Sequence, residues 1–327
     1  MTKRLKSIHV GVGGRGTWPV KLMTADPRWQ PVALVDVSRE NLQAARQMSG
    51  LSEKDLYADL GKAIEEHPEA DAVVVVTPSA LHAQFIETAL RAGKHVLTEK
   101  PFTNSEDDAR RLVAMAEEKG LAIVVAQNYR FRPVERMVQK ILRERTYGEP
   151  SYMTLIHHRH RPEVRSFTMA QPMIYEMSVH HFDSILAMFG RRPKAVTANS
   201  FNPPWSKYPG PAAVQALIEL EGPVYITYLG TFTSMSNSWT NRIECEKAAV
   251  SWSTEPALRV TYPDGRVTEI PVSEEVVSPE QQILDQFYDQ IVSGRESEVS
   301  GRNNLATMQL VQAAIRSSEQ GIKVTLP

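Results

Sequence analysis

Ile8-His9-Val10-Gly11-Val12-Gly13-Gly14-Arg15-Gly16 is the stretch whose reading decides the fold. Its apolar start reads as a strand. Three glycines in the spacing Gly11-x-Gly13-x-x-Gly16 then stand where that strand hands over to a helix. In this setting the first glycine permits a tight turn, the second lets backbone approach a pyrophosphate, and the third lets the helix pack on the strand. Unpaired N–H groups at the helix start favour the phosphates. Gly11, Gly13, Gly14, Arg15 and Gly16 are therefore expected to hold a dinucleotide.

Outward from the turn, residues 31–36, 71–77, 95–97 and 122–126 read as apolar strands, separated by amphipathic helices over 41–48, 80–92 and 107–119. Continuous apolar strands of this kind lie in parallel sheets covered on both faces. Right-handed crossovers make the arrangement doubly wound, a Rossmann domain over residues 1–130. Past Phe131 the pattern becomes alternating, with strands over 151–157, 213–220, 224–232, 243–252 and 258–262 and helices over 133–144, 281–292 and 304–320. Alternation predicts one solvated or partner face. Residues 131–327 are thus expected to form an α+β domain with a mostly antiparallel open sheet that carries subunit contacts, in a homodimer or homotetramer. The class is α/β overall.

The chain has 327 residues, 42% hydrophobic and 23% charged, enough for two domains with their own cores. A net charge of −1 offers no basic field to nucleic acid or to a membrane surface. The longest apolar run, residues 72–76, is far shorter than a membrane span. The N-terminus is basic without the apolar stretch of a signal peptide. Cys245 is the single cysteine and reads as a packing thiol, and a reducing cytoplasm is the expected compartment.

Asp36 ends the second strand, about twenty residues past the last glycine, where a carboxylate accepts from ribose hydroxyls and repels a 2′-phosphate. NAD is expected over NADP, with Arg39 close enough to soften that exclusion. Thr77 and Pro78 end a further strand at the carboxyl edge of the sheet, and His82 follows in the next helix. All three are expected at the cofactor.

Four motifs then occur in order: the glycine turn, Thr77-Pro78-x-x-Leu81-His82, Gly93-Lys94-His95-Val96-Leu97-x-Glu99-Lys100-Pro101, and Asn128-Tyr129-Arg130-Phe131-x-Pro133. Together they resemble the glucose–fructose oxidoreductase / inositol dehydrogenase / rhizopine-catabolism (Gfo/Idh/MocA) family over essentially the whole chain. The resemblance implies a nicotinamide-dependent enzyme acting on a sugar, cyclitol or polyol, with residues 131–327 also binding the substrate. It adds Glu99, Lys100 and Asn128 to the cofactor contacts. It also pairs Lys100 with an acid and a histidine on a helix of the second domain, a pattern met by Tyr175-Glu176-Met177-Ser178-Val179-His180-His181-Phe182-Asp183. Glu176, His180 and Asp183 fall at i, i+4 and i+7, on one helical face. The family more often has aspartate at the position of Glu176 and glycine at that of Ser178.

Carbinol oxidation needs a base within reach of the hydroxyl, and His180 has the suitable intrinsic pKa. Lys100 would donate to the developing alkoxide or carbonyl oxygen. Glu176 or Asp183 would orient the imidazole, and Lys100, Glu176 and His180 would all touch substrate. His157-His158-Arg159-His160-Arg161, with Arg165 beyond it, ends the first strand of the second domain. Alternation sends His158 and His160 to one face. Substrate contact through His158, His160 and Arg165, an exposed basic strand end, and a metal shared with His180 compete here; no fixed ligand spacing supports the metal. Trp205 and Trp239 are candidates to wall a sugar pocket.

Three functions remain open. The leading one is a dehydrogenase for a secondary carbinol of a small carbohydrate. A second is a redox-neutral hydrolase or lyase that uses bound NAD to make a keto-sugar transiently. A third is a dinucleotide sensor without catalysis, against which the presence of both Lys100 and His180 argues.

Overall fold

Six short strands, apolar on both faces, form the first sheet: β1 (Leu5–Val10), β2 (Trp29–Val35), β3 (Leu56–Tyr57), β4 (Ala72–Val75), β5 (His95–Thr98) and β6 (Ile123–Val125). In the computed structural model, which describes residues 3–164, 170–254, 257–272 and 277–327, they run parallel in the order β3-β2-β1-β4-β5-β6. Helices α1 (Thr17–Ala25), α2 (Arg39–Ser49), α3 (Leu60–Glu66), α4 (His82–Arg91) and α5 (Glu106–Glu118) cross between strands. Ser38, Asp59 and Ser105 cap α2, α3 and α5 by accepting from the backbone N–H three residues on. Ile8, Leu34, Val73, Val75, Leu97 and Val124 are buried between the helical layers. This is the expected doubly wound Rossmann arrangement. The order reverses between β1 and β4, which is where such sheets open a ligand crevice. Sequence reading omitted β3 and α3, because two strand residues are too few to show a period.

A C-terminal segment also belongs to this unit. Helix α6 (Pro133–Arg143) and α7 (Val179–Phe189) lie in the second unit, but α8 (Pro279–Ser293) packs on the first. Phe287 of α8 stacks on Trp29 at 5.4 Å, and the Tyr288 hydroxyl donates to Lys3 O at 2.7 Å. Where the sequence suggested one cut near residue 130, the contacts divide the chain into Met1–Gln127 with Glu280–Leu305, and Asn128–Pro279 with Ala306–Pro327.

The second unit is built on a nine-stranded sheet. Its strands are β7 (Pro150–His160), β8 (Pro193–Phe201), β9 (Ala213–Leu220), β10 (Val224–Thr231), β11 (Thr233–Cys245), β12 (Ala249–Trp252), β13 (Ala257–Thr261), β14 (Val267–Pro271) and β15 (Val324–Thr325). They lie in the order β14-β13-β12-β11-β7-β10-β9-β8-β15. Only β7 and β10 pair in parallel; the other neighbours are antiparallel, as the alternation predicted. The run 243–252, read as one strand, breaks at Cys245, whose N–H donates to Ala248 O at 3.1 Å. One sheet face meets α7 and α9 (Gly301–Gln320) in a core that includes Phe182, Ile185, Leu155, Ile218, Ile226 and Val311. The other face leaves Tyr152, Leu217 and Tyr225 exposed. No helix among the described residues is long and apolar enough to cross a membrane.

Candidate active site

The glycine turn is shaped by what it has no room for. Gly11 sits at φ +77°, and a Cβ there would lie 2.4 Å from Val76 O. A Cβ on Gly16 would lie 1.8 Å from Gly11 O, so the third glycine is needed for helix and turn to close. The Asp36 carboxylate accepts from Val12 N at 2.9 Å and Ser38 N at 2.8 Å, and Asn41 Nδ2 approaches it at 3.3 Å. Gly11, Gly13, Asp36, Asn41, Thr77, Pro78, Leu81 and Phe85 are among the residues around a cleft of about 270 Å³. Apolar walls with one carboxylate at the rim match an adenine and its ribose. Arg39 turns away to Glu53 at 2.7 Å, and as an exposed pair it contributes little.

Lys100 owes its placement to the acid before it. Buried Glu99 accepts from Arg15 Nε and Trp18 Nε1, both at 2.9 Å, and from Lys100 N at 3.1 Å. Arg15 also reaches Glu280 at 3.2 Å, so its guanidinium ties Glu99 to the start of α8. The cap on this loop is His82, which is 1% exposed; its Nδ1 lies 2.8 Å from Pro101 O and its Nε2 2.9 Å from Thr77 O. Both nitrogens therefore face backbone carbonyls, and His82 ties the Thr77-Pro78 turn to the Lys100 loop. Burial pushes its pKa down. Lys94, five residues before Glu99, is structural: its Nζ donates to Pro68 O and Ala70 O, each at 2.7 Å.

In the second unit a π-helical turn, Ile174–Ser178, runs directly into α7. Such turns shift the register of a helix and recur at functional sites. Of the three residues expected on one helical face, Glu176 and Asp183 each pair with an arginine. Glu176 pairs with Arg161 at 2.5 Å. Asp183, 1% exposed, takes a two-pronged contact from Arg130 at 2.8 and 2.6 Å and a third from Thr307 Oγ1 at 3.2 Å. Its carboxylate is a buried structural anchor for the Asn128–Phe131 segment, not the orienting acid of the imidazole.

His180 stacks on Tyr129, with ring centroids 4.3 Å apart and planes 13° from parallel. The Arg132 guanidinium covers the Tyr129 ring, 3.2 Å from its centroid, and lies 5.1 Å from that of Trp239. Trp239 meets His157 edge-on at 5.5 Å, and His157 meets His181 at 4.7 Å. His181 Nδ1 and Ser178 Oγ both contact the Tyr228 hydroxyl at 2.9 Å. Burial, then Arg159, Arg132 and His158, push His157 down to about 4, so it is neutral at pH 7. Burial also holds His181 well below its ordinary value.

Two sequence models of one oxidoreductase family match this chain: its NAD-binding Rossmann fold over residues 6–127 and its C-terminal domain over residues 136–251. The chain belongs to the Gfo/Idh/MocA oxidoreductase family. Among relatives, the scyllo-inositol 2-dehydrogenase (NADP(+)) IolW of Bacillus subtilis (strain 168) is 33% identical over 42% of this chain and 39% of its own. The D-apiose dehydrogenase of Paraburkholderia graminis is 25% identical over 90% of this chain and 82% of its own. The aldose-aldose oxidoreductase of Caulobacter crescentus, solved with glycerol, superposes with a TM-score of 0.86 at 20% identity, covering 99% of this chain and 100% of its own. As a Gfo/Idh/MocA member this is an NAD-binding oxidoreductase, and its glycine cradle and Asp36 fit that cofactor.

Within this Gfo/Idh/MocA chain the structure assembles Gly11, Gly13, Gly14, Gly16, Asp36, Thr77 and Pro78 around the crevice side of the first sheet. Asn128 opens the turn Tyr129–Phe131, receiving the Phe131 N–H at 3.1 Å. The strand-end segment faces the opposite way from that expected. His157 and Arg161 are buried, whereas His158 is half-buried and His160 exposed, its Nδ1 2.8 Å from Ser234 O. His160 and Trp205 line a separate small cleft with Lys207 and Met235. Arg165 lies outside the described residues. Among the described residues no group of three or more His, Cys, Asp or Glu is arranged to hold a metal. Burial pushes the Cys245 thiol up to about 11, which suits packing rather than nucleophilic attack. The alternation along β7 is as read, but the buried face is that of His157 and Arg161 rather than that of His158 and His160.

Proposed function

We propose that the protein is an NAD-dependent dehydrogenase for a secondary carbinol of a sugar, cyclitol or sugar-derived polyol. The observation that carries the reading is the Glu99 knot, which fastens the Lys100 backbone to the glycine turn at the carboxyl edge of the NAD-binding sheet. A lysine so held is available to the oxygen of a carbinol next to the cofactor. The nicotinamide, when bound, accepts hydride from the carbinol carbon. His180 takes the hydroxyl proton, Lys100 stabilises the oxygen as charge develops, and Tyr129 keeps the imidazole plane fixed by stacking. Glu176 supports Arg161 beside the same cluster. The names of the inositol and apiose relatives support a polyol or sugar as substrate.

Purified enzyme, NAD and a panel of polyols, sugars, sugar acids and glycosides test this, with NADH formed and substrate consumed followed together. A ratio near one is expected. Substrate loss without NADH overturns the reading in favour of redox-neutral cleavage. Lys100→Ala is expected to keep NAD affinity and to lower turnover by about a hundredfold or more. Unchanged turnover removes Lys100 from the mechanism.

A further inference from the structure

Two buried arginines beside the second unit's site are matched by acids: Arg130 by Asp183 and Arg161 by Glu176. The guanidinium groups of Arg132 and Arg159 are different: neither has an ion pair or a hydrogen bond among the described residues. Arg132 lies flat on Tyr129 and near Trp239, so its ring contacts use a face and leave the in-plane N–H donors unused. Glu135, three residues on, makes no ion pair with it among the described residues, and burial pushes that carboxyl up. Arg159 follows His157 by two residues on β7 and shares its face.

His157 itself is 8% exposed, yet neither ring nitrogen has a hydrogen-bond partner among the described residues. Trp239 Nε1 and His181 Nε2 are likewise buried without one. Buried polar atoms left unmatched are costly, and a cluster of them beside a candidate base calls for a ligand that completes it. Two unpaired guanidiniums in the same cluster say what charge that ligand brings. A neutral polyol would leave both cations unmatched, whereas a carboxylate or phosphate accepts two parallel bonds from a guanidinium edge.

We propose that the carbohydrate substrate is acidic, with its carboxylate or phosphate held by Arg132 and Arg159 and a neighbouring hydroxyl met by His157. This rests on the dehydrogenase reading above and narrows it to sugar acids or sugar phosphates. No covalent step is added. The anion orients the ring so that one carbinol, and not its neighbours, lies at His180.

The test compares matched compounds on the full-length enzyme with NAD: D-glucose and myo-inositol against D-gluconate, D-glucuronate and D-glucose 6-phosphate. One acidic member is expected to exceed its neutral parent in kcat/KM by about tenfold or more, the scale of a single charge-assisted contact. Its KM is expected to rise with ionic strength. In Arg159→Gln the acid-to-neutral ratio is expected to collapse through KM, and Arg132→Lys is expected to keep part of it. The carboxylates and the phosphate separate the two anion sources. A thermal-melting arm runs beside it, with the same compounds added to the NAD-loaded protein and to both variants. Turnover confined to neutral carbinols overturns the acidic substrate and leaves the dehydrogenase standing. Stabilisation by the acids, lost in Arg159→Gln but unaccompanied by any NADH, keeps the anion site and overturns the dehydrogenase. Neither turnover nor stabilisation with any acid overturns the proposal outright, as does an acid preference that Arg159→Gln leaves intact.

Discussion

At the residue scale, Gly13 separates two jobs of the fingerprint. A Cβ there would meet the Asn41 side-chain amide at 2.3 Å, and that amide is one of the groups approaching Asp36. The clash is with the end of a flexible side chain, so the fold tolerates it by moving Asn41. The cofactor does not, because the added methyl stands where backbone approaches the pyrophosphate and Asn41 leaves the ribose carboxylate. Gly13→Ala is therefore expected to shift the melting midpoint little and to weaken NAD binding by about tenfold or more, read by calorimetric titration. Normal NAD affinity would show that the turn does not hold the pyrophosphate.

At the element scale, α7 is held by one buried contact more than by its own propensity. Asp183 receives both prongs of Arg130 and the Thr307 hydroxyl, which links α7 to the Asn128–Phe131 turn and to α9. Removing one partner leaves a buried charge unmatched, so Asp183→Ala is expected to cost about 3–5 kcal/mol in denaturant unfolding. A cost below about 1 kcal/mol, with a lowered kcat, would return Asp183 to the catalytic machinery. Strand β7 carries a pH signature instead. His157 is pushed down to about 4 in the folded chain, against about 6.5 unfolded. Between those values the unfolded chain binds the extra proton, so stability rises with pH and is lost as pH falls from about 6.5 towards 4. Replacing the group by His157→Gln is expected to remove up to about 3 kcal/mol of that acid loss. Denaturant midpoints at pH 7 and pH 4.5 check it; an unchanged difference would mean that His157 is protonated in the fold.

For the whole molecule, the open face of the nine-stranded sheet matters most. Tyr225 pairs with Tyr152 across β10 and β7, and Leu217 stands on the neighbouring β9, all three exposed on a sheet whose other face is core. Adjacent exposed apolar side chains on an open sheet suit a second copy of the chain. Leu217→Lys is expected to lower the mass measured by sedimentation from oligomer to monomer while NAD binding persists. A wild-type protein that sediments as a monomer would leave that face without a role.

Read from the chain alone, the doubly wound half was legible because its information is local. A glycine spacing, a carboxylate at a strand end and runs of β-branched residues each declare themselves within a few residues. Alternation likewise declared the mixed second sheet and its open face. Lys100 drew notice through the Glu-Lys-Pro motif, and Glu99 beside it accepts from its backbone N–H. What the sequence could not carry was register and long-range pairing. Glu176 pairs with Arg161 at the end of the preceding strand, and nothing within the segment signals that contact. Asp183 found Arg130, fifty-three residues away, only once two elements had packed. His82 reads as a cofactor contact until two backbone carbonyls are seen against its nitrogens. Burying a titratable group forces it to take whatever partner the fold brings within reach. Local pattern therefore determined which elements form, and tertiary packing decided which polar groups are structural and which remain for chemistry.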